Sequence, residues 1–61
     1  MTLEKGDRVR ILTGRFSEMI VIVEGYTPDH RAIVHAATWT ITREYDRADL
    51  YLVKRGGTGD G

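Results

Sequence analysis

Arginine is the residue of this chain whose type and spacing best suit binding of a charged partner. Arg8 and Arg10 alternate with apolar residues, which places both on one face of an extended segment. Arg15 follows in the next loop, and Arg31 begins a later extended segment. A guanidinium group forms paired hydrogen bonds with phosphate or carboxylate. Arg43 lies on another late segment, so a curved sheet could gather several of these arginines on one side. The residues predicted to bind a partner are Arg8, Arg10 and Arg31 on a basic strand face, with Arg15 beside them.

Two alternatives stay open for the polar and aromatic side chains. The arginines, Arg43 included, could instead form a solvated outer face that pairs across strands with Glu4, Glu24 and Glu44. The aromatic side chains offer either a surface on which bases stack or a core tryptophan edged by tyrosines. They are Tyr26, Trp39, Tyr45 and Tyr51.

No arrangement typical of an active site or of a metal site is visible in the sequence. The two histidines, His30 and His35, would need a third protein ligand to hold zinc, and cysteine is absent. There is no nucleophile elbow, phosphate loop or acid/base pair. We therefore expect a protein that is not an enzyme and binds no cofactor and no metal.

The elements that must position these residues read as short strands. Alternation predicts a first strand over 8–12, and five consecutive apolar residues begin a second over 19–26. Thr27-Pro28-Asp29-His30 predicts the turn of a hairpin into a third strand. Trp39 and Ile41, flanked by threonines, predict a fourth strand, and 50–53 a fifth.

A short helical turn is expected over 45–50, with Asp46 as its cap. The predicted fold is all-β, a small five-stranded barrel with a 3-10 turn before the last strand. The residues predicted to form its core are Val9, Ile11, Ile20, Ile22, Ile33, Trp39, Ile41, Leu50 and Leu52. Every residue over 19–23 is apolar, so a shift of register by one residue would exchange the inward and outward sets in this segment.

The opening segment resembles a known family. Gly6-Asp7-x-Val9-x-Ile11-x-x-Gly14-x-Phe16, followed by an apolar strand, is similar to the start of a KOW-type SH3-like barrel. Such barrels form the C-terminal domain of NusG-type transcription elongation factors and occur in some large-subunit ribosomal proteins. Where KOW segments carry a glycine, this chain has Val21. With the later strands counted, the similarity covers most of the chain.

Length and composition narrow the class of protein. Sixty-one residues suffice for one domain, predicted as a barrel over 1–55 with a flexible glycine-rich tail over 56–61. Nine basic and nine acidic side chains give zero net charge, which argues against coating nucleic acid by bulk charge. No apolar run reaches the ~20 residues of a membrane helix. We expect a cytoplasmic protein with no membrane contact.

The resemblance implies a transcription or translation module that binds RNA or a ribosomal or polymerase-associated protein. On the family pattern, Arg15 and Phe16 in the first loop would make the contact, with Arg8, Arg10 and Arg31 added from strand geometry. Two alternatives remain. One is an assembly subunit, such as a homo-oligomer, without affinity for nucleic acid. The other follows a likeness of Gly6 to Arg10 to type II dihydrofolate reductases, whose Val-Gln-Ile-Tyr segment has only a poor counterpart over 48–51.

Overall fold

The computed structural model describes residues 3–56 as five antiparallel strands in one sheet. In chain order these are β1 (Arg8–Ile11), β2 (Ile20–Tyr26), β3 (Ala32–His35), β4 (Arg43–Tyr45) and β5 (Leu50–Lys54). One turn of 3-10 helix, Arg47–Asp49, directly precedes β5. The strand order is β4-β3-β2-β1-β5, so β4 and β5 are the edges. The predicted all-β fold, with five strands and a 3-10 turn before the last, is confirmed.

The hairpin between β2 and β3 turns where the sequence predicts. The Thr27 amide donates to the Arg31 carbonyl at 2.8 Å, and the His30 amide donates to the Thr27 carbonyl at 2.9 Å. The Thr27 hydroxyl also accepts a hydrogen bond from the Arg31 amide at 3.1 Å. His30 has φ 68°, a left-handed conformation that closes the turn.

The inward face of β2 differs from the predicted one. Val21 and Val23 are buried, whereas Ile20 and Ile22, both predicted for the core, are exposed. Val21 pairs with buried Val9 on β1, and paired residues point to the same side of a sheet. Because every residue over 19–23 is apolar, only the pairing with β1 fixes which set faces inward. Val21 fills the core.

The rest of the core follows from the same registers. Of the predicted core, Val9, Ile11 and Leu50 are fully buried, and Trp39 and Leu52 are half-buried against them. On β3 the buried residues are Ala32 and Val34, and predicted Ile33 lies on the opposite face. The complete buried cluster is Leu3, Val9, Ile11, Val21, Val23, Ala32, Val34, Ala36 and Leu50.

The predicted fourth strand around Trp39 and Ile41 is wrong. The Trp39 amide donates to the Ala36 carbonyl at 3.0 Å, which makes this segment a turn. Ile41 is 60% exposed. The strand begins at Arg43, in a charged segment without an apolar alternation, and it is held by pairing with β3. Asp46 stands at the N-cap of the 3-10 turn without a side-chain capping bond.

The two ends of the described chain meet at one buried carboxylate. Asp7 is 0% exposed. Its Oδ2 accepts from the Glu4 amide at 2.8 Å and from Arg55 Nη1 at 2.9 Å, and its Oδ1 accepts from the Gly56 amide at 2.8 Å. Burial acts to raise the pKa of Asp7, but the amides of Gly56 and Glu4 and the charge of Arg55 together lower that pKa below its ordinary value of 3.8.

Gly56, the first residue of the predicted tail, lies against the backbone of Gly6. A Cβ placed on Gly56 would lie 1.7 Å from the Gly6 carbonyl oxygen. Only glycine allows this approach, and the approach brings the Gly56 amide to Asp7. Residues 57–61 of the predicted tail lie outside the described part.

We expect Gly56→Ala to lower the free energy of unfolding by about 1–3 kcal/mol, because the added methyl must displace backbone. Urea denaturation measures this. The matched control is Gly25→Ala on β2, where a Cβ meets nothing within 4 Å. That substitution should be neutral or stabilising by up to about 1 kcal/mol. Equal losses in the two variants would contradict a close approach at Gly56.

Asp7 should also make stability depend on pH. Its pKa is lowered in the folded state, so its contribution is present above the unfolded-state pKa of about 4 and is lost as pH falls through the folded-state pKa. We expect Asp7→Asn to unfold about 1–3 kcal/mol more easily at pH 7. The difference from wild type should shrink below pH ~4.

Urea denaturation between pH 7 and pH 2 measures both quantities. The control is Glu18→Gln, which alters an exposed carboxylate 3.9 Å from Arg10 Nε and should change stability by less than about 0.5 kcal/mol. A difference between wild type and Asp7→Asn that stays constant over this range would contradict the assignment.

Candidate functional site

The loop between β1 and β2 places Phe16 against the core. Glu18 and Ile11 close the loop, with the Glu18 amide donating to the Ile11 carbonyl at 2.6 Å. Gly14 has φ 80° and Glu18 has φ 74°, so the chain turns back sharply at both. Phe16 is half-buried and packs on the core cluster.

Phe16 meets Trp39 from the turn after β3. Their ring centroids are 5.0 Å apart at an interplanar angle of 61°. This edge-to-face arrangement is one of the favourable geometries for two aromatic rings. Trp39 is therefore held by Phe16 and the core rather than by strand pairing. The two aromatic residues, distant in sequence, form one surface beside β4.

Arginine side chains cover this aromatic pair. The Arg43 guanidinium carbon lies 4.6 Å from the Phe16 ring centroid and 5.5 Å from that of Trp39. The Arg15 guanidinium carbon lies 6.0 Å from the Phe16 centroid. These distances are those of cation–π contacts. We call Arg15, Phe16, Trp39 and Arg43 the arginine–aromatic cluster.

Charge pairing divides the arginines into two groups. Arg31 lies between Glu44 and Asp46, with its Nη1 3.6 Å from Asp46 Oδ1. Arg10 lies 3.9 Å from Glu18. Within residues 3–56, Arg8, Arg15 and Arg43 form no salt bridge with a carboxylate. The alternative of cross-strand pairing thus describes Arg31, whereas both arginines of the cluster carry uncompensated charge.

The predicted site residues do not all come together. Arg15 and Phe16 meet in the cluster. Arg8 and Arg10 lie on β1, where Arg10 covers Tyr51 of β5 at 5.2 Å and faces Glu18. Arg31 lies at the start of β3, next to the acidic residues of β4.

Sequence reasoning considered Trp39 as a possible stacking residue and Arg43 among the arginines, but it chose neither as a site residue. Arg43 belongs to a strand with no apolar alternation, so its position follows only from its pairing with Val34. Val34 faces the interior, and Arg43 therefore points to the same side and reaches Trp39.

The tyrosines are not part of this cluster. The Tyr26 hydroxyl donates to the Leu3 carbonyl at 2.9 Å, and Tyr45 packs on the core. The residues 3–56 contain no group of three or more acidic, histidine or cysteine residues placed to hold a metal ion. They also contain no helix long and apolar enough to cross a membrane.

A scan against protein-family models, a search of curated proteins and a search of solved structures each found no match for this chain.

Proposed function

We propose that this chain is a small binding module that takes single-stranded RNA on the arginine–aromatic cluster. The observation that carries the proposal is the position of Arg43, whose guanidinium lies over both Phe16 and Trp39 while its charge stays unpaired within the described residues. Unstacked bases pack on aromatic rings and on guanidinium planes, and the guanidinium also attracts the phosphate that follows each base.

The KOW resemblance supports the same surface, since the loop that carries it contributes Arg15 and Phe16. Both arginines of the cluster are exposed, Arg15 in the loop between β1 and β2 and Arg43 at the start of β4. Zero net charge fits a local contact better than a long electrostatic track, because a long track needs many basic residues. The role is that of an adaptor in transcription or translation, without catalysis.

We expect Arg43→Ala to weaken binding of a fluorescein-labelled uridine dodecamer by about 5- to 150-fold, the loss typical of one stacked base. Arg43→Lys keeps the charge without the planar group and should recover only a small part of the affinity. Fluorescence anisotropy at fixed salt measures both. The charge control is Lys5→Ala, an exposed cation outside the cluster, which should change affinity less than about twofold.

Salt dependence gives a second readout. If the two arginines each neutralise one phosphate, affinity should fall about sevenfold between 50 mM and 200 mM salt, and the slope should decrease in Arg43→Ala. Wild-type affinity in Arg43→Lys, or an equal loss in Lys5→Ala, would show binding by charge alone and contradict the proposal.

The outer face of the sheet favours a second candidate function, that of an assembly subunit formed by two copies of this chain. Ile20, Ile22 and Tyr51 are 46%, 37% and 56% exposed. Their backbone partners on β1 are arginines, because Arg10 pairs with both Ile20 and Tyr51. Apolar side chains and arginine stems therefore form one continuous surface, which we call the outer face.

The charges of the outer face are self-complementary. Arg8 and Arg10 lie on one side of β2, whereas Glu44 on β4 lies on the other side, in a position paired with Ile33. On that side Glu44 and Asp46 outnumber Arg31, the cation between them. A two-fold axis along β2 would place the basic β1 of one copy over the acidic side of the other, with Ile22 near the axis. Such an interface meets the same patch on both copies.

We expect sedimentation equilibrium to show a dimer that Ile22→Lys weakens at least tenfold, since two buried charges would face each other near the axis. The control is Ser17→Lys, which adds the same charge at an exposed residue of the loop between β1 and β2. A wild-type monomer at millimolar concentration, or equal dissociation of the two variants, would exclude this interface.

A further inference from the structure

Three basic residues line a pocket at the start of β1, the end of that strand away from the arginine–aromatic cluster. It lies where β1 begins and β5 ends, and we call it the basic pocket. Its walls are Gly6, Arg8, Lys54, Arg55 and Gly56, and it measures about 200 Å³. One water molecule needs about 10–15 Å³ of such space, so the pocket has room for a phosphate group. None of the cluster residues lines this pocket.

A β-bulge brings two of these charges face to face. The register between β1 and β5 shifts between Arg8 and Val9, so that Arg8 pairs with Lys54 although Val9 pairs with Leu52. Like charges directly opposite each other on neighbouring strands destabilise a sheet. Within residues 3–56, neither Arg8 nor Lys54 has a salt-bridge partner. The repulsion therefore has no counter-charge among these residues, and a bound anion would supply one.

Asp7 holds Arg55, the third basic residue of the pocket, in place. Its Oδ2 holds Arg55 Nη1 at 2.9 Å, so the guanidinium is positioned before any ligand arrives. Arg55 is paired with Asp7, so the surplus positive charge of the pocket within residues 3–56 comes from Arg8 and Lys54. The contact of Gly56 with Gly6 leaves backbone without side chains as part of the wall, which allows a ligand to approach closely.

From this geometry we propose that the basic pocket binds a phosphate group, held between Arg8 and Lys54 with Arg55 at its edge. Bulges commonly redirect side chains beside functional sites, and arginine and lysine together suit a phosphate oxyanion. The phosphate can belong to a free ion, to a phosphomonoester or to the backbone of a nucleic acid, and the three share this chemistry.

The test is a titration of the ¹⁵N-labelled full chain with sodium phosphate, against sodium chloride at equal ionic strength, by amide NMR. We expect saturable shifts of the Gly6, Arg8 and Gly56 amides with phosphate only. Arg8→Gln and Lys54→Gln should each weaken phosphate binding at least about tenfold, the effect of one charge-assisted hydrogen bond. Arg10→Gln removes one charge from the same strand outside the pocket and should change affinity less than threefold.

Stability separates a binding role from a structural one. Without phosphate, Lys54→Gln should melt at the same temperature as wild type or higher, because it removes the repulsion from Arg8. With phosphate, the melting temperature of wild type should rise more than that of the variant. A lower melting temperature of Lys54→Gln without phosphate, together with unchanged phosphate shifts, would overturn the proposal. So would shifts that do not saturate or that chloride reproduces.

Further titrations distinguish the sources of the phosphate. Adenosine monophosphate presents a phosphomonoester, and a uridine dodecamer without terminal phosphates presents only diesters. Displacement of inorganic phosphate by the dodecamer would assign the pocket to nucleic-acid backbone, and displacement by the nucleotide alone would assign it to small phosphates. The amides of Phe16, Trp39 and Arg43 report separately on the cluster, so either site can fail while the other stands.

Discussion

The buried carboxylate of Asp7 is the interaction on which the rest of this small fold depends. It accepts hydrogen bonds from Glu4 before β1 and from Arg55 and Gly56 after β5, so it joins segments almost fifty residues apart. A buried charge is costly unless it is paired, and this one is fully satisfied by two amides and a guanidinium. The core it closes consists mainly of valine, leucine, isoleucine and alanine. Such a core leaves a small stability margin, and the specific polar closure then carries a larger share of the fold.

Closure at Asp7 also shapes the basic pocket. It fixes the end of β5 beside the start of β1, which creates the basic pocket. The residues of the arginine–aromatic cluster are not among the hydrogen-bond partners of the Asp7 side chain. The cluster instead depends on Phe16 and Trp39, whose edge-to-face contact lies on the core. The two candidate sites thus have separate supports. One rests on hydrogen bonds to a buried charge, and the other on packed rings.

The sequence predicts the fold class, the order of the strands along the chain and the turn after β2, because alternation and turn residues are local signals. It does not predict the inward face of β2, since five apolar residues in a row carry no alternation and the pairing of Val9 with Val21 decides it. The mistaken strand at Trp39 and Ile41 has a different cause. A period of two places alternate side chains on one face only if the backbone is extended, and here a turn bonds Trp39 to Ala36. Arg43 was missed as a site residue because its position depends on β4 being a strand. Pairing with β3, rather than an alternation of apolar residues, makes β4 a strand.

Net charge does not show where positive charge lies on this protein, whereas the pairing of individual charges does. The nine basic and nine acidic residues cancel in sum, yet four of the carboxylates lie near particular arginines. Asp46 and Glu44 flank Arg31, and Glu18 faces Arg10. Those pairs are exposed and contribute little to stability, but they neutralise two arginines as binding groups. Among residues 3–56, two groups of basic side chains without a carboxylate partner lie close together. At the cluster, aromatic rings hold Arg15 and Arg43, and at the pocket a bulge sets Arg8 against Lys54. A chain with no net charge thereby presents two separate groups of positive charge, one at the cluster and one at the basic pocket.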